Sequence, residues 1–231
     1  MSSSVTFFDE AYYIEINRAR WAMAEAVLDR LPRLDHCIDV GCGPGWFSER
    51  LINRGLDVLG LDGREELIVE ASARVPKGKF ITQDITDPNA LQDLQPAGLV
   101  FCFGLLYHLE NPFAAIRNLH RITAQYLFIE TQIALGEGND LVLVSEGQNQ
   151  TQGLKFHALI PSRRALVKML YVAGFTSVYR HTGVVQHSDF IDSPERLHRR
   201  EVFMVTKNVA LSLPDFILES EPTTPKIDYS R

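Results

Sequence analysis

Cysteine is scarce: only Cys37, Cys42 and Cys102 occur, each in or beside an apolar run. An odd, scattered set offers no disulfide framework, and no C-x-x-C or H-x-x-x-H spacing is present to hold a metal. Long apolar runs are missing too. Nowhere do about 18 apolar residues follow one another, and no basic stretch leads into an apolar one at the N-terminus, so neither a membrane span nor a signal peptide is expected. Positive charge is in deficit, with 23 Lys and Arg against 29 Asp and Glu for a net charge of −6, which counts against nucleic acid as a partner. Internal repeats and low-complexity tracts are absent. What is present is ordinary globular material, 45% apolar and 23% charged over 231 residues, enough for one large domain with a buried core in a reducing, cytoplasmic setting.

Apolar residues recur at helical spacing from Glu10 to Leu31 until Pro32 ends the pattern, which predicts an N-terminal helix. Short apolar runs then alternate with helical segments. Cys37–Val40 reads as a first strand closed by Gly41-Cys42-Gly43-Pro44-Gly45, with a helix from Trp46 to Arg54 after it. Leu56–Leu61, Lys79–Gln83, Gly98–Phe103 and Tyr126–Gln132 read as four further strands, with helices from about Glu65 and from Asn111-Pro112 between them. A helix over Ser162–Ala173 and strands at Thr176–Arg180 and Glu201–Lys207 complete the pattern. Uncharged strands alternating with helices predict an α/β fold: a doubly wound, Rossmann-like, mostly parallel seven-stranded sheet with its last strand antiparallel and helices on both faces. Residues 1–231 read as a single domain, with a helical cap over 1–35, a core over 36–208 carrying polar insertions at 133–161 and 181–199, and an extended tail over 209–231.

In such a sheet ligands bind at the C-terminal strand ends. The strongest signal there is Asp39-Val40-Gly41-Cys42-Gly43-Pro44-Gly45, whose alternate glycines permit positive backbone dihedrals and close approach of a ligand to the main chain. Asp62 ends the second strand, where a carboxylate can accept hydrogen bonds from a ribose diol, and Asp84-Ile85 follows the third. Asp39, Asp62 and Asp84 together describe a pocket for a ligand with a cationic or amine end, a ribose and an adenine-like amino group.

This ordered set resembles class I S-adenosylmethionine-dependent methyltransferases of the small-molecule type, from about Cys37 to Gln132, and Ser162–Lys207 resembles the family's last helix and closing strand pair. The resemblance implies S-adenosyl-L-methionine as cofactor, with S-adenosyl-L-homocysteine as product. It implies that Asp39, Gly41, Gly43 and Gly45 run along the methionine part. Asp62, with Gly63 beside it, would meet the ribose, and Asp84 and Ile85 the adenine. Phe103 and Leu105 would lie beside the sulfonium, and Tyr13 would close from the N-terminal helix, as Tyr12 could. The segment Leu105-Leu106-Tyr107-His108-Leu109 through Pro112 resembles one found in methyltransferases of natural-product and sugar biosynthesis, and in an enzyme modifying the tRNA wobble uridine.

Methyl transfer needs chiefly proximity and orientation, and a hydroxyl acceptor gains from a general base. His108 is the leading candidate, beside a purely structural role for it, with His157, His181 and His187 as alternatives. Glu130, Thr131, Gln132, Glu146, Asn149 and Gln150 suit a polar acceptor, while Arg163-Arg164 and Arg196 with Arg199-Arg200 read as solvated faces. The expected reaction is methyl transfer to a hydroxyl or amine of a polar small molecule such as a natural product or sugar, without a metal. A tRNA-nucleoside-modifying alkyltransferase and an NAD-dependent oxidoreductase are the alternatives. Against the latter, Trp46 stands where the dinucleotide fingerprint has its last glycine.

Overall fold

The computed structural model describes residues 7–87, 89, 91–191 and 198–227. In chain order they form α1 (Ala11–Leu28), β1 (His36–Val40), α2 (Trp46–Asn53), β2 (Asp57–Asp62), α3 (Glu65–Arg74), β3 (Lys79–Thr82), β4 (Ala97–Phe103), α4 (Pro112–Ile122), β5 (Thr123–Ala134), β6 (Leu141–Ser145), β7 (His157–Pro161), α5 (Arg163–Ala173), β8 (Ser177–His181), β9 (His198–Thr206) and β10 (Phe216–Glu219). Eight strands make one sheet in the order β10-β8-β9-β5-β4-β1-β2-β3, and β6 and β7 pair separately as a hairpin. Strands β1 to β5 run parallel, whereas β9 is antiparallel to both β5 and β8. The order reverses between β1 and β4, so the switch-point crevice lies beyond their C-terminal ends.

Side chains alternate across a strand, and both faces of this sheet are apolar. Ile38, Val40, Val100, Cys102, Leu127 and Ile129 face α4 and α5, whose Ile116, Leu119, Leu166 and Leu170 are fully buried. Their neighbours Cys37, Leu99, Phe101, Phe103 and Phe128 face α1 and α2, against Ala24, Val27, Phe47 and Leu51. All three cysteines are free and buried, Cys37 and Cys102 in these layers and Cys42 in the turn after β1. Burying each such side chain contributes about 1.5–3 kcal/mol, which is why the central strands read as unbroken apolar runs.

The doubly wound sheet matches the sequence expectation, with one strand more. The eighth, β10, comes from the segment expected to be an extended tail: it pairs antiparallel with β8, and Tyr171 Oη donates to the Glu219 carbonyl at 2.6 Å. Four residues flanked by prolines are too few to show an alternation, yet the free edge of β8 supplies their backbone partners. Within 133–161, expected to be irregular, β5 continues to Ala134 and the β6–β7 hairpin follows. Strand β9 begins at His198, so residues 198 and 199 belong to the sheet and not to the insertion, and Arg196 lies outside the described residues.

One buried amide holds the turn that carries Asp84 and Ile85. Asn118 of α4 donates through Nδ2 to the carbonyls of Ile85 (2.7 Å) and Asp87 (3.1 Å). Asn118→Ala removes both bonds and should destabilise the fold by about 1–3 kcal/mol, read as a lower urea midpoint at unchanged slope.

Candidate active site

A cavity of about 500 Å³ opens beyond the ends of β1, β2 and β4, a size typical of small-molecule sites. Its floor is the glycine turn. Gly41, Gly43 and Gly45 have φ of 74°, 51° and 88°, a region that disfavours any side chain, and the amides of Gly41 and Cys42 both donate to the Leu61 carbonyl. A Cβ on Gly41 would lie 3.0 Å from Leu105 Cβ, so the first and fourth strand ends meet here with no room to spare.

Asp62 Oδ2 accepts the Gly43 amide at 3.0 Å and Oδ1 accepts the Arg64 amide at 2.9 Å. A carboxylate offers about four lone-pair sites, so about two remain for a diol. Burial raises this carboxyl above its ordinary range, against the pull of the two amides. Asp84 takes the amide and hydroxyl of Thr86 on Oδ1, at 2.8 and 2.7 Å. Above these, Phe8, Tyr12 and Tyr13 form a wall, anchored because Arg74 of α3 donates to both carboxylate oxygens of Asp9, at 2.8 and 2.9 Å.

Tyr13, Gly41, Gly43, Asp62, Gly63, Asp84, Ile85, Phe103, Leu105 and His108 all line this cavity. Asp39 and Gly45 do not. Gly45 turns the chain into α2, where a Cβ would meet Val75 Cγ2 at 3.0 Å. Asp39 sits behind the glycine turn, 2% exposed, and accepts Ser48 Oγ at 2.6 Å. Burial, aided by the charge of Asp62 and opposed by the Ser48 bonds, pushes its carboxyl up to about 7.

His108 ends the short turn after β4, Leu106–His108. Its Nδ1 is hydrogen-bonded to Glu146 Oε1, and Glu146 Oε2 accepts the Gly153 amide at 2.9 Å. Burial works to raise the Glu146 carboxyl, but the bond to His108, the charge of His108 and the Gly153 amide outweigh it and hold it below its ordinary value. The other histidines are elsewhere. His157 is exposed, with Nδ1 3.2 Å from the Lys155 carbonyl; His181 packs on Phe216; and His187 meets the Tyr12 ring outside the cavity.

Beyond His108 the wall is ionic. Glu130 of β5 is fully buried, with Arg20 of α1 at 2.9 Å and Arg200 of β9 at 3.1 Å. Arg200 also donates to Tyr107 Oη at 3.0 Å and pairs with Asp189 at 3.2 Å, and Asp189 in turn takes the Tyr12 hydroxyl. The reading of Arg200 as solvated is therefore corrected: it is 8% exposed and lines the cavity. Arg163 and Arg199 are not free faces either, since both pair with Glu201. Glu130 carried the missing signal, because a carboxylate inside a buried strand requires a cation.

A doubly wound α/β sheet with a glycine turn, acidic strand ends and a cavity at its switch point is the arrangement in which such folds bind nucleotide-like ligands. Residues 38–126 of the chain match the family described as "Methyltransferase domain". Among curated proteins it is similar to tRNA U34 carboxymethyltransferase of Haemophilus influenzae (strain PittEE), 28% identical over 150 residues, which cover 61% of this chain and 45% of that protein. The chain thus spans about half the length of the curated relatives it matches. Among solved structures it resembles the N-terminal domain of EvdMO1 with SAH bound (TM-score 0.63, 21% identity, 83% of this chain and 79% of that one). It also resembles magnesium protoporphyrin IX methyltransferase (ChlM) from Synechocystis PCC 6803 with bound SAM (TM-score 0.58, 20% identity, 90% and 87%).

The buried Asp39 sets a pH dependence. Unfolded, it ionises near about 3.9; folded, it keeps its proton up to about 7. The stability this proton confers is complete below the unfolded value and is lost as pH rises through the folded one. Asp39→Asn should flatten the decline between about pH 4 and 7 and be the more stable protein at pH 8, by roughly 4 kcal/mol at most, as urea unfolding at pH 5 and 8 would show.

Proposed function

We propose that this protein transfers a methyl group from S-adenosyl-L-methionine to a hydroxyl or amine of a polar small molecule. The observation that carries the reading is the pairing of Asp62, with lone pairs left over toward the cavity, and a glycine turn with no Cβ between backbone and ligand. The residues present fit the cofactor: Asp62 and Gly63 suit the ribose, Asp84 and Ile85 the adenine, and Gly41 and Gly43 the methionine end. Phe103 and Leu105 flank the point where the sulfonium would meet the acceptor. When bound, the cofactor supplies an activated methyl carbon. The chain's own part is to align the acceptor, exclude water with Tyr12, Tyr13 and residues 146–154, and take the acceptor's proton at His108. Among the described residues no helix is long and apolar enough to cross a membrane.

Isothermal calorimetry with S-adenosyl-L-homocysteine tests this directly. Binding is expected, and Asp62→Ala should weaken it by about 1–3 kcal/mol through lost charge-assisted hydrogen bonds. No binding by the wild-type chain would retire the reading.

A second reading follows from the relatives' name, since a carboxymethyl group bears a carboxylate on the carbon that moves. Arg20 and Arg200 bring two guanidiniums, and Tyr107 a phenol, to the cavity wall; Arg20 Nη2 lies 3.4 Å from where a Cβ on Gly104 would be. Such a donor set suits a carboxylate. On this reading the acceptor is a tRNA nucleoside, despite the net charge of −6. Competition calorimetry separates the two: a carboxylated donor should bind tenfold or more tightly than S-adenosyl-L-methionine, and equal affinity would leave only the first.

A further inference from the structure

Residues 146–156 join β6 to β7 and touch both ends of the site at once. The hairpin itself packs on the turn bearing His108, with Leu159 N donating to the Leu109 carbonyl at 2.9 Å and Val144 and Ile160 against Tyr107. At one end of the loop, Glu146 bonds His108. Gly153 is pressed on the same turn: a Cβ there would stand 2.1 Å from the His108 carbonyl oxygen. At the other end, the Arg64 guanidinium donates to the carbonyls of Gln152 and Gly153, both at 3.1 Å. Leu154 covers Gly63 so closely that a Cβ would lie 2.6 Å from its Cδ1. Arg64 is also the residue whose amide binds Asp62. The loop is therefore clipped to the turn Asp62–Arg64 and to His108 by separate contacts from one short segment.

We propose that Glu146 is the positioning residue for His108, and that it is delivered by the seating of residues 146–154 on the turn Asp62–Arg64, so that the base is complete only when the loop is closed. This rests on the reading of His108 as the base. A neutral imidazole donates from one nitrogen and accepts at the other. With Nδ1–H donating to Glu146 Oε1, Nε2 is the ring's acceptor. The acceptor oxygen bonds the methyl carbon as the carbon–sulfur bond breaks and its electron pair stays on sulfur, and the hydroxyl proton passes to Nε2. The carboxylate then stabilises the imidazolium, as the buried Asp does in hydrolase triads. A Glu146 that only tied down the loop would leave the tautomer of His108 unaffected.

The test uses the full chain with ¹⁵N-labelled histidine, His108 being assigned by its loss in His108→Ala. Nitrogen shifts report the tautomer, and amide hydrogen exchange reports the loop. Wild type should show His108 with Nδ1 protonated, and Glu146→Ala should lose that signature. Arg64→Ala leaves both partners intact but removes the loop's bonds to the turn Asp62–Arg64; it should lose the signature too, with faster exchange over residues 146–154. It carries the comparison if Glu146→Ala does not fold. A wild-type signature retained in Glu146→Ala would overturn the positioning role, and one retained in an unseated loop would overturn its delivery. Calorimetry with S-adenosyl-L-homocysteine on the same wild-type sample keeps the readings apart, because absent binding there with the tautomer result intact would sink the methyltransferase reading and not the His108–Glu146 pairing.

Discussion

A single buried carboxylate organises the half of the cavity wall that lies beyond His108. Glu130 lies in the middle of β5 with no exposure to water, a position in which an unpaired charge would cost several kcal/mol. Its two guanidinium partners come from distant parts of the chain, Arg20 from the helix before the sheet and Arg200 from β9, the antiparallel neighbour of β5. Through Arg200 the network reaches Tyr107 beside His108, and through Asp189 it reaches Tyr12 on the cavity wall. Helix α1, the turn after β4 and strand β9 are thereby held to one point.

The other half is built differently. Among the described residues no ion pair shapes the glycine turn; backbone amides aimed at the Leu61 carbonyl and at Asp62 do so. Backbone amides set that end of the cavity, while the end beside His108 is set by long charged side chains.

That division also explains what could be read from the amino acids alone. Gly41, Gly43 and Asp62 are local signals, since their meaning depends on a strand end and a turn within a few residues. The doubly wound, mostly parallel sheet followed from buried apolar runs alternating with helices. Arg200 was misread because the start of β9 was placed three residues late, at Glu201, which left a strand residue in a loop. Glu146 and His108 are 38 positions apart, and the segment between them that leads into the hairpin shows no period from which its fold could be inferred. Strand β10 is four residues long, below the length at which alternation speaks.

Strand β10 has a bearing on how molecules of this protein meet one another. By pairing with β8 it becomes one border of the sheet, and β3 is the other; each has only four residues. Pro214 precedes β10 and Pro222 follows it, both without an amide to offer, and the exposed Lys79 opens β3. Short borders marked by proline and lysine are poor templates for a foreign strand. A sheet with a long, buried, aggregation-prone centre is thus closed off on both sides by segments that discourage its growth.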